Sequence, residues 1–221
     1  MRLKGAIFDF DGTLFDSMFI WENAGSDFLR RVGRTPEKGL DKILKPLGMD
    51  ATAVYLKQNY GLTMTLDKIK SDINDMVGEL YEKKVLPKEG VPELLRRLGE
   101  KGVRMCVATA TDRVQITAAL KRCGFMGFFT GICTCSEVGC GKERPDVFEQ
   151  ALRLAGTDKA ETLVFEDSVY AVKTAKRAGF RVAGVFDRFE EDQRGLEEIS
   201  DIYLRGFGDI KGLEGRIAAI R

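Results

Sequence analysis

The chain has 221 residues, 44% of them hydrophobic, which suffices for one large domain or for a core carrying an insert. Its 35 Lys and Arg balance 34 Asp and Glu, so no charge excess points to nucleic acid or an anionic membrane, and the expected partner is a small molecule. The absence of His excludes imidazole acid/base and phosphohistidine chemistry and leaves proton transfer to carboxylates.

From Met1 the chain runs directly into the apolar Ala6-Ile7-Phe8, which reads as a buried strand. Asp9-Phe10-Asp11-Gly12-Thr13 follows. Alternate side chains of an extended segment share a face, so Asp9 and Asp11 can reach one site, and Gly12 permits a turn that a side chain would obstruct. Paired carboxylates at this distance invite a divalent cation. Hard oxygen ligands with few protein contacts suit Mg²⁺, which completes its shell with water and a phosphate.

Residues 16–86 carry helical spacing with no strand-like run between. Met18, Trp21, Gly25, Phe28 and Val32 recur at helical intervals, as do Leu66, Ile69, Ile73, Met76 and Leu80, and further helices fit 37–45 and 50–59. The segment is expected to form a small all-helical cap, hinged near Phe15 to Ser17 and near Val85 to Gly90. Ligands of open parallel sheets bind beyond the carboxyl ends of the strands, so an insert after the first strand is a candidate lid.

From residue 87 onward strands and helices alternate. Strands are expected at Val103–Thr109, Phe128–Thr134, Thr162–Phe165 and Arg181–Phe186, with helices at 91–101, 112–123, 145–155 and 168–178. A short strand near Ile202–Leu204 and a final helix close the pattern. The expected fold is α/β, a parallel-sheet core of residues 1–15 and 87–221 flanked by helices. No apolar run approaches the roughly 20 residues of a membrane span, and five cysteines, an odd number, fit a reducing compartment; the expected location is cytoplasmic.

Four motifs stand at strand ends or in loops beside them: Asp9-Phe10-Asp11-Gly12-Thr13; Thr109; Lys142 within Gly141-Lys142-Glu143-Arg144-Pro145-Asp146; and Glu166-Asp167-Ser168. Singly, each has an ordinary structural reading as a solvated turn, a helix cap or a surface lysine. In this order, over essentially the whole chain, they resemble the haloacid dehalogenase superfamily, in its phosphatase and β-phosphoglucomutase-like branch with a helical cap after the first strand. The resemblance implies a Rossmann-like core and a Mg²⁺-dependent phosphatase of small phosphorylated metabolites, such as sugar phosphates. Asp9 would be the nucleophile, forming an aspartyl-phosphate, and Asp11 the acid and base. The metal would be held by Asp9, the backbone carbonyl of Asp11 and Asp167, with Glu166 bound directly or through water. Phosphate oxygens would meet Lys142, the Thr109 hydroxyl and the backbone N–H groups of Gly12, Thr13 and Ala110.

Alternatives are a sugar phosphomutase, a phosphonate-cleaving enzyme using a cap lysine, and a non-catalytic phosphometabolite-binding module. Mutases of this branch carry His where this chain has Trp21, which counts against a phosphoglucomutase-like activity. Asp11 counts against halide release, because dehalogenases lack the second Asp. Glu143 replaces a common Pro and brings a negative charge next to Lys142, weakening the expected grip on an anion. Cys133, Cys135, Cys140 and Cys123 lack the paired Cys-x-x-Cys knuckles of structural zinc; Cys133 and Cys135, in or beside an expected strand, read as small buried apolar residues, and Cys140 is the one open to oxidation. No motif in the cap selects a substrate, and nothing sets an oligomeric state.

Overall fold

The computed structural model describes residues 2–44, 47 and 49–220. The chain divides into two compact units, one running to Asp16 and resuming at Leu86, the other Ser17–Val85.

The first unit is built on a six-stranded parallel sheet in the order β5-β4-β1-β6-β7-β8. These are β1 (Gly5–Phe8), β4 (Arg104–Thr109), β5 (Phe129–Thr134), β6 (Thr162–Glu166), β7 (Arg181–Val185) and β8 (Ile202–Leu204). All four residues of β1 are buried, as a central strand covered on both faces requires. Helices α5 (Val91–Glu100), α6 (Arg113–Arg122), α7 (Cys135–Val138), α8 (Asp146–Ala155), α9 (Val169–Arg177), α10 (Gln193–Ile199) and α11 (Ile210–Ala219) complete the unit.

Alternation divides the strand residues between two cores. On one face Ile7, Cys106, Cys133, Val164 and Val182 pack with Val147, Phe148 and Ala151 of α8 and Val172 and Ala175 of α9. On the other, the Phe8 and Phe165 rings stack with centroids 4.5 Å apart. The register Phe8↔Val107 and Phe8↔Phe165 brings the ends of β4 and β6 level on either side of β1. Successive strands are added to one side of β1 and then to the other, so the order reverses at β1. This switch point opens a crevice beyond the strand ends.

Two short strands, β2 (Phe15–Asp16) and β3 (Leu86–Pro87), pair antiparallel, so the chain leaves and re-enters this unit side by side. Lys88, just past β3, donates its amide to the Leu14 carbonyl and its ammonium to the Phe186 carbonyl, and pairs at 2.8 Å with Asp187, which is 2% exposed. Gly90 has φ +82°, and a Cβ there would collide with the Phe207 carbonyl.

The second unit is entirely helical: α1 (Met18–Arg31), α2 (Leu40–Leu44), α3 (Met49–Tyr60) and α4 (Leu66–Lys83). Thr65 caps α4 by accepting from the Lys68 amide, and Ile69, Ile73, Met76, Val77 and Tyr81 form its buried stripe. Trp21 Nε1 donates to the Tyr81 hydroxyl at 2.8 Å, so the residue standing where mutases carry His is tied into the packing of its own unit. Arg34 and Lys42 are exposed, and Lys45 lies outside the described residues. Among the described residues no helix is long and apolar enough to cross a membrane.

Candidate active site

The loops at the switch point converge on a buried cluster of charges. Asp9 follows β1, its amide donating to the Phe165 carbonyl of β6, which sets it level with Glu166. Asp9, Glu166 and Asp167 are 5%, 1% and 5% exposed, and their ligand oxygens lie within 4.8 Å of one another. Lys142, also buried, donates to Asp9 Oδ1 and, at 2.7 Å, to Glu166 Oε2. Glu166 Oε1 is engaged as well, accepting from Ser168 Oγ at 2.7 Å. Asp167 Oδ1 accepts from Thr13 Oγ1 at 3.0 Å.

Three carboxylates around one ammonium leave a buried excess of negative charge, and the protonation equilibria register it. Burial pushes Asp9 up to about 7, with Glu166 and Asp11 adding to the shift and Lys142 opposing it. Burial likewise raises Asp167 well above the carboxylate range, reinforced by Glu166, Asp9 and Asp187 and opposed by Lys142. For Lys142 burial disfavours the charge, but Asp9 and Glu166 outweigh it and hold the ammonium above its ordinary value. Hard oxygen donors so close together, with their charge uncompensated, fit a divalent metal ion.

The remaining predicted residues take different positions. Gly12 has φ +74°, and its N–H donates to the Phe15 carbonyl at 2.9 Å. The expectation of a phosphate-binding amide at Gly12 is therefore corrected: that N–H is spent closing the turn, which only a residue tolerant of positive φ closes without strain. The amides of Thr13 and Ala110 meet no protein acceptor among the described residues. Thr109, at the end of β4, is fully buried, and its hydroxyl accepts from the Thr111 amide at 3.1 Å. Asp11 is outside the carboxylate cluster, and its Oδ2 accepts from Thr111 Oγ1 at 2.6 Å.

The segment that precedes Lys142 is strapped to the start of α6. Thr134 and Glu137 form a capping box at the start of α7. Arg113, at the start of α6, holds Glu137 through Nε at 2.5 Å and Nη2 at 2.9 Å, and Asp112 accepts from Ser136 at 2.9 Å. Glu143 is exposed, and its Oε1 accepts from the Gly141 amide at 3.1 Å, so its charge is drawn back to its own loop.

Sequence reasoning missed Thr111 and Tyr170. Tyr170, in the first turn of α9, is 53% exposed, and its hydroxyl is pushed up to about 12, chiefly by desolvation; Lys142 opposes the shift and Glu166 and Asp9 add to it. Its place just after Glu166-Asp167-Ser168 was the available signal. Cys133 and Cys135 are buried and pushed up to about 11, chiefly by burial, and neither belongs to the acidic cluster. Burial also raises Cys140, which lowers its thiolate population.

Residues 6–185 match the family model for haloacid dehalogenase-like hydrolases. The chain belongs to this hydrolase family. It is 29% identical over 195 residues to the protein CbbY of Rhodobacter capsulatus, covering 82% of this chain and 85% of that protein. It is 22% identical over 196 residues to the phosphorylated carbohydrates phosphatase of Thermotoga maritima, covering 88% and 91% respectively. The crystal structure of CbbY from Rhodobacter sphaeroides in complex with phosphate shares the fold, with a TM-score of 0.81 at 21% identity over 98% of this chain and 100% of that one. The α/β fold of this haloacid dehalogenase-like chain thus agrees with its family.

Proposed function

We propose that this chain is a Mg²⁺-dependent phosphatase of small phosphorylated metabolites, sugar phosphates or similar monoesters, working through an aspartyl-phosphate on Asp9. The observation that carries the reading is the buried cluster in which Lys142 bridges Asp9 and Glu166 beside Asp167, while Asp11 is held apart from them. A nucleophile and an acid/base need such separate surroundings. The relatives named for acting on phosphorylated carbohydrates, or crystallised with phosphate, support the same class of substrate.

Asp9, Asp167 and the main chain of Asp11 would hold Mg²⁺, with Glu166 acting through water because both its oxygens are already engaged. When bound, the ion neutralises charge on the phosphoryl oxygens and lets Asp9 approach them as an anion. Lys142, the Thr109 hydroxyl and the amides of Thr13 and Ala110 share the remaining charge as positioned donors. A carboxylate oxygen of Asp9 attacks phosphorus while Asp11 gives its proton to the leaving oxygen. Asp11 then takes a proton from the water that attacks the aspartyl-phosphate, which restores Asp9 and releases phosphate. The helical unit would serve as the cap that limits access of bulk water.

The test is phosphate release with Mg²⁺ over a panel of sugar phosphates, phosphoglycolate, nucleotides and phosphonates, with Asp9→Asn alongside. Release that vanishes in the variant supports the reading and ranks substrates. A panel without Asp9-dependent release contradicts it.

A further inference from the structure

Thr111 stands 100 residues from Asp11 in sequence, yet its hydroxyl donates to Asp11 Oδ2 at 2.6 Å, and both residues are buried. The hydroxyl therefore acts on a carboxyl that the metal cluster leaves aside. The bond also spans two strand ends, since Thr111 follows β4 and Asp11 follows β1.

We infer that Thr111 is the positioning residue for the acid/base carboxyl, holding Asp11 in one orientation through both halves of the reaction. The inference rests on the proposed role of Asp11. A hydroxyl donor suits both protonation states. It donates to Oδ2 of the carboxylate, and equally to Oδ2 as the carbonyl oxygen of the neutral acid, which then carries its proton on Oδ1. In the first half, the bond from Asp9 to phosphorus forms as the ester P–O bond breaks. The departing electron pair goes to the leaving oxygen, which takes the proton from Oδ1. In the second half, water oxygen bonds to phosphorus and its proton returns to Oδ1, while the bond to Asp9 breaks and its electron pair reverts to the carboxylate. Thr111 keeps its own proton throughout, so the same hydrogen bond survives the cycle. Without it, Asp11 loses the buried donor that orients Oδ2, and a proton donor less firmly oriented loses much of its effect.

The test compares leaving groups. An alkyl phosphate needs its leaving oxygen protonated, whereas p-nitrophenyl phosphate departs as a stable phenolate, and kcat/KM reports only the steps through ester cleavage. Thr111→Val, which removes the hydroxyl at nearly constant volume, is expected to lower kcat/KM for an alkyl phosphate about 30-fold and for p-nitrophenyl phosphate less than about threefold. Thr111→Ser restores the hydroxyl and is expected to recover the alkyl rate to within about threefold. In an Asp11→Ala background, Thr111→Val should change the alkyl rate less than about twofold, because the residue it positions is gone. Binding of beryllium fluoride with Mg²⁺, which has no leaving group to protonate, should be unchanged in Thr111→Val and so reports an intact site even if the variant is less stable.

Equal losses on both substrates, or a further tenfold loss in the Asp11→Ala background, would overturn the inference while leaving the phosphatase reading intact. A wild-type protein with no Asp9-dependent release would overturn both.

Discussion

Replacing the oxygen proposed to attack phosphorus is the sharpest change a single residue allows. Asp9→Asn keeps the shape of the side chain but removes the proposed nucleophile, and phosphate release is expected to fall at least about a thousandfold. Thr13→Val acts more gently. It withdraws the donor that holds Asp167 Oδ1, and the Mg²⁺ concentration for half-maximal activity should rise about tenfold, as read from a metal titration. An unchanged midpoint would show that Asp167 orients itself without Thr13. Asp9, Asp11, Glu166 and Asp167 were legible in the sequence because each pair lies within three residues at the end of an apolar run. Thr111 was not, because a Thr two residues beyond a strand end reads as a helix cap and its partner lies 100 residues away. The spent amide of Gly12 was equally hidden, since spacing gives a turn but not the acceptor that closes it.

Between elements, the loop after β7 is fastened to β3 by the Lys88–Asp187 pair. Lys88→Met leaves Asp187 buried without its cation and is expected to cost about 3 kcal/mol in urea unfolding, whereas the double variant with Asp187→Leu should recover much of that loss. Equal instability of the single and double variants would mean that the pair's charges are not what the loop depends on. The parallel strands were legible as short apolar runs separated by helical spacing. Helix α10 was not, because Leu196 is its one buried residue and leaves no apolar stripe to detect. Strands β2 and β3, of two residues each, are too short for any periodicity.

At the scale of the whole molecule, the charge cluster should make stability depend on pH and metal together. In metal-free protein Asp9 is raised from 3.8 to about 7, so the folded state retains a proton that the unfolded chain has released. A raised carboxylate contributes stability at low pH that is lost as pH climbs through this window and stays lost above it. Chelator-treated protein is therefore expected to have a lower Tm at about pH 7.5 than at about pH 5.5, with Mg²⁺ raising Tm more at the higher pH. A Tm insensitive to Mg²⁺ at both values would contradict the assignment of the cluster as a metal site. The most direct test of the central claim is chemical capture of the intermediate. Acid-quenched turnover followed by borohydride reduction converts an aspartyl-phosphate to homoserine, and mass spectrometry reads the position. Homoserine at position 9, formed only with substrate and Mg²⁺, is the predicted result; sustained phosphate release with Asp9 unmodified, or with another residue modified, would contradict it.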